Sequence, residues 1–118
     1  MIVIAPTTTL RVTTAHGLEL GEFVVEEQRG ELVLGTFVAG VDYPSVEPLF
    51  RHFEELVEGQ VLSLVDAAAD AIAQLRIRVV KPDTSEPILV TDVQFYSDGP
   101  ASFRFPAGVG SNRNGVQS

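Results

Sequence analysis

The sequence predicts an α+β fold: an antiparallel sheet of about five strands packed on one face against one long amphipathic helix. Three observations point there. Runs rich in Val, Leu and Phe near both ends of the chain are broken by glycine-bearing turns, the pattern of β-hairpins. The middle of the chain, Val46 to Leu75, places apolar residues at helical spacing. The order is strands, one helix, then strands, and two hairpins imply an antiparallel sheet.

In chain order, "IVIA" (Ile2 to Ala5) reads as a short edge strand stopped by Pro6. "TLRVTT" alternates, with Leu10 and Val12 on one face. Leu18–Glu27 and Glu31–Val38 form a hairpin in which Gly30 supplies the turn. On the second arm Leu32, Leu34, Thr36 and Val38 share one face and Val33, Gly35 and Phe37 the other, so this is a central strand or one covered by a partner. Gly21 and Gly35 mark bulges or close backbone approach. After the helix, "LRIRVV" alternates and ends at Pro82, and "KPDTSEP" is a loop. "ILVTDVQFYS" and "ASFRF" form a second hairpin around Asp98-Gly99-Pro100. The domain therefore covers 1–106, and the Gly-, Ser- and Asn-rich stretch 107–118 is expected to be a flexible tail.

The helix can start at Asp42 or Ser45, with Pro44 and Pro48 in a first turn that tolerates proline. At 100° per residue Val46, Phe50, Phe53, Val57, Val61 and Leu64 hold one stripe, which continues through Ala68, Ala71 and Leu75. Gly59 falls on the polar side without shifting the stripe, so one helix, bent or straight, is preferred over a helix–turn–helix. About thirty residues at 1.5 Å each span roughly 45 Å, longer than the ~35 Å expected of so small a domain. Bending at Gly59, a curled sheet or packing on a second copy would absorb the surplus. Leu62 stands on the polar side near Glu58 and Arg51, and together with the surplus length it marks a homodimer contact.

Composition narrows the function classes. Sixteen acids against eight Lys plus Arg give a net charge of −8, the reverse of a nucleic-acid binder. A basic protein partner is compatible with that charge, as is acidity that serves only solubility. With no cysteine there are no disulfides, thiolate metal sites or cysteine nucleophiles. No window is apolar enough for a membrane span, and the N-terminal run lacks signal-peptide features, so a soluble cytoplasmic protein is the expectation.

Chemistry is sparse. His52 lies three residues before Glu55, a spacing at which a general-base pair can meet on a helix. His16 precedes Gly17 in a turn, and no nucleophile motif accompanies either histidine. Asp66 and Asp70 share a helix face but lack further ligands, so no metal or cofactor is expected. Phe50, Phe53, Phe95, Phe103 and Phe105 are assigned to the helix–sheet core. The reading that follows is a non-enzymatic protein-interaction or assembly module acting as a homodimer. The alternative is a small-molecule-binding domain or minor enzyme with a pocket between helix and sheet.

Overall fold

The structure is a computed structural model that describes residues 2–96 and 99–106. Three strands open the chain: β1 (Thr9–Thr13), β2 (Glu19–Arg29) and β3 (Leu32–Ala39). A short 3-10 turn (Tyr43–Ser45) leads into α1 (Glu47–Glu58) and α2 (Leu62–Ala73). Four strands follow: β4 (Arg78–Val80), β5 (Ile88–Leu89), β6 (Thr91–Phe95) and β7 (Pro100–Arg104). All pairings are antiparallel, in the order β5-β4-β1-β2-β3-β7-β6.

That order closes the sheet on itself. β5 and β6 are its two edges, yet only Val90 separates them in the chain. Seven strands laid flat at ~4.8 Å per step would hold the edges about 29 Å apart. Two peptide units allow Leu89 and Thr91 at most about 7.6 Å between Cα atoms. The sheet has therefore curled into a nearly closed barrel whose seam lies between β5 and β6 at Val90; the Val90 N–H continues the β4–β5 ladder by bonding the Ile77 carbonyl at 3.1 Å. The expected five-strand sheet against a long helix is corrected to a seven-strand, barrel-like sheet with two short helices.

The alternating pattern fills the interior. Leu10 and Val12 of β1, Leu20, Phe23 and Val25 of β2, Val33 of β3 and Val79 of β4 are fully buried. Phe103 joins them, its ring edge-on to Phe23 at 4.9 Å and to Phe105 at 5.4 Å. Arg11, Glu22 and Glu26 take the intervening outward positions. The β2–β3 hairpin turns at Gly30, whose φ is +61°. Gly35 is a close approach: a Cβ there would lie against the Val24 carbonyl oxygen and 2.7 Å from Phe23 Cε1. "IVIA" is not a strand; Ile4 is buried and its N–H bonds the Gln28 side chain at 2.8 Å. The second hairpin forms as β6–β7, but its expected first arm divides at Val90, so that Ile88–Leu89 pairs with β4 instead; residues 97–98 of its turn, like 107–118, lie outside the described residues.

The single rod over Val46–Leu75 is also corrected, because the chain changes direction between α1 and α2. Gln60 adopts a left-handed conformation (φ 56°). Its N–H bonds the Val57 carbonyl at 3.1 Å, and the Val61 N–H reaches back to Leu56 at 2.9 Å. This pair of bonds satisfies the Leu56 and Val57 carbonyls in the last turn of α1 and ends the helix. Gly59 itself stays right-handed, at φ −80°. The longest dimension of the molecule is 41 Å, so a 45 Å rod would protrude, whereas each 12-residue helix is about 18 Å long. The 100° count records position along the chain only. Once the chain turns, α2 can rotate freely, and an unbroken stripe says nothing about an unbroken axis. Val46 at the start of α1, Phe50 on α1 and Ile72 on α2 then reach the barrel core.

Candidate functional site

Two places on the helical layer stand out: the elbow between the helices, and a cleft between α2 and the seam strand. The elbow is apolar and exposed. Val57, Val61, Leu62 and Leu64 are 38%, 40%, 72% and 51% exposed. Three of them belong to the stripe that the sequence assigns to the core, and the elbow is what turns them outward. Glu55 and Glu58 on α1 and Asp66 on α2 flank them and are exposed. Arg51 is already engaged with Glu47, one turn back, at 3.4 Å. Leu62 and Glu58, the expected contact residues, thus both lie at the elbow, while Arg51 sits further back along α1.

The cleft is about 640 Å³ and runs between α1–α2 and the segment through Val90. Its floor is Phe53, Ile72, Ile77 and Val93, the last three buried. Its rim carries Asp70, Arg76 and Asp92. Arg76 and Asp92 both have left-handed backbones, with φ of 51° and 50°. The β6–β7 register slips between Thr91 and Gln94, so Asp92 and Val93 have no partner residue across that ladder. Asp92 faces Arg104 at 3.8 Å. Arg76 has no ion pair among the described residues.

Beside the cleft lies an aromatic cluster. Phe37 and Phe95 stack at 4.0 Å with their planes 6° apart. Phe50 stacks on Phe95 at 5.0 Å, and Tyr43 packs on Phe37 at 4.9 Å. Of the five phenylalanines assigned to one core, Phe50, Phe95, Phe103 and Phe105 do share it, and Phe53 packs against it as part of the cleft floor. Burial of the phenolate, and after it the Glu47 and Glu54 carboxylates, push the Tyr43 hydroxyl up to about 12. Asp42, expected to cap the helix, instead accepts the Glu19 N–H at 2.8 Å and ties the helical layer to β2.

The histidines do not assemble a centre. His52 and Glu55 are both exposed on α1, and no hydrogen bond or ion pair joins them. His16 is exposed in the β1–β2 turn, where its backbone N–H donates to Thr14 Oγ1 at 3.3 Å. Among the described residues no group of three or more metal-ligating side chains occurs. Nor, among them, is any helix long and apolar enough to cross a membrane. Sequence reasoning missed Arg76 and Asp92: apart from the tolerance of Asp for left-handed backbone, their residue types carry no signal for it.

No protein-family model, curated protein or solved structure matches the chain.

Proposed function

We propose that the protein is a non-enzymatic interaction module that docks a basic, apolar segment of another protein on the α1–α2 elbow. The observation that carries this is the run of exposed Val57, Val61, Leu62 and Leu64. A lone exposed leucine is ordinary, whereas four neighbours around one turn form the kind of patch that interaction sites use. Charge selects the occupant. Carboxylates flank the patch, and the chain as a whole carries −8. A second copy in a symmetric homodimer would bring the same carboxylates face to face; Lys or Arg on a partner would be attracted to them. The chain has no cysteine to oxidise, which suits a cytoplasmic setting.

The test uses a designed amphipathic helix with leucines on one face and lysines on the other, its binding read by fluorescence anisotropy. Binding should weaken as salt rises and be lost in Leu62→Ser/Leu64→Ser. A peptide with glutamates in place of the lysines should not bind. No binding, or binding that ignores the double substitution, refutes the proposal. Light scattering that shows a dimer abolished by the same substitutions would assign the elbow to a second copy instead.

A further inference from the structure

We infer that the cleft between α2 and the seam strand is a binding site for a small apolar monoanion, a molecule with a hydrophobic body and a single carboxylate or sulfonate, held by Arg76. The site shares no residue with the elbow and does not depend on it.

Shape comes first. A volume of about 640 Å³ lies in the range of small-molecule sites. The cleft exists because the barrel does not quite shut. β6 leaves β5 at Val90 and pairs with β7, while β4 is reached from α2 through Arg76 and Ile77. α2 overlies the gap, and Phe53, Ile72, Ile77 and Val93 give it an apolar floor. An added peptide strand is a poor occupant, because the register slip and the left-handed Asp92 break the regular ladder that strand addition needs.

Charge decides the head group. Of the two rim carboxylates, Asp92 is engaged by Arg104, which leaves Asp70 and Arg76 without an ion-pair partner among the described residues. Among the described residues Arg76 is the one cation that lines the cleft, and its planar guanidinium can grip a carboxylate or sulfonate with two parallel hydrogen bonds. Asp70 opposes a second negative charge, which limits the ligand to a monoanion. The backbone adds an independent point. Position 76 is left-handed just beyond the end of α2, where glycine fits without strain. An arginine there costs stability, so its side chain is the candidate for a role outside folding.

The probe is anilinonaphthalene sulfonate, an aromatic body with one sulfonate. N-phenylnaphthylamine, nearly the same body without the charge, is its control. Fluorescence titration of the wild type should show saturable binding of both, with the sulfonate tighter. Arg76→Gln and Arg76→Gly should weaken the sulfonate roughly tenfold and leave the neutral probe within about twofold. Arg76→Gly should also be at least as stable as wild type, which separates lost binding from lost folding. Ala73→Trp, an exposed cleft position, should block both probes. Leu62→Ser/Leu64→Ser at the elbow should affect neither. Absence of binding, equal loss of both probes in the Arg76 variants, or loss in the elbow variant in place of Ala73→Trp would overturn the assignment.

Discussion

Two glycine substitutions two residues apart should have opposite effects on stability. Gln60 is exposed and left-handed, at φ 56°. For an L-residue that conformation costs about 1–2 kcal/mol. Glycine avoids the cost but gives back about 0.5–1 kcal/mol through its greater freedom in the unfolded chain. Gln60→Gly should therefore stabilise by roughly 0.5–1 kcal/mol. Glu58 is exposed in the last turn of α1, where glycine costs up to about 1 kcal/mol. Neither side chain packs in the core, so cavity effects do not confuse the comparison. In urea, with a slope of about 1.5 kcal/mol/M, Gln60→Gly should raise the midpoint by roughly 0.3–0.7 M and Glu58→Gly should lower it by a similar amount, both with unchanged slopes. A rod continuous from Val46 to Leu75 predicts that both variants destabilise alike. That result would refute the elbow and with it the exposed patch.

Three further outcomes follow from the packing. Gly35→Ala forces a Cβ onto the Val24 carbonyl, so it should destabilise by more than about 1 kcal/mol in the same urea assay. Phe103→Ala removes a ring that is 1% exposed and packed on two others, and should cost about 3–5 kcal/mol by denaturation. The Tyr43 hydroxyl is raised to about 12, so the folded state keeps a proton that the unfolded chain loses near 10. Its contribution is complete below pH ~10 and fades as pH rises towards 12; absorbance at 295 nm should show a late-titrating tyrosine that disappears in Tyr43→Phe, and the variant's stability should depend less on pH across that window.

Much of the local structure was legible in the residues. β1, the β2–β3 hairpin, β4 and the β6–β7 hairpin lie close to where alternation and glycine turns put them, because each depends on neighbours in the chain. Gly35 was legible for the same reason: a residue without a Cβ in an apolar strand implies a neighbour that needs the space. Helical spacing was legible within each helix, but the single core-facing stripe was not borne out: the count by which it was found does not register a change of axis at Gln60, a residue type that gives no warning of left-handed backbone. The elbow patch was legible only as Leu62. Val57, Val61 and Leu64 carried the signature of core residues and became surface when the chain turned.

Composition and periodicity by themselves determined an acidic chain of antiparallel hairpins around a helical middle, since these follow from propensities that act over a few residues. Tertiary structure alone decided closure. β1 lies between β2 and β4, with Arg11 opposite Val80, and this long-range pairing sets the curl that brings β5 and β6 together at Val90. Whether two distant strands pair depends on the free energy of the whole sheet: edge hydrogen bonds satisfied and an apolar interior filled, set against the entropy of closing long loops. No short window of residues contains that balance, and the cleft at the seam is its direct consequence.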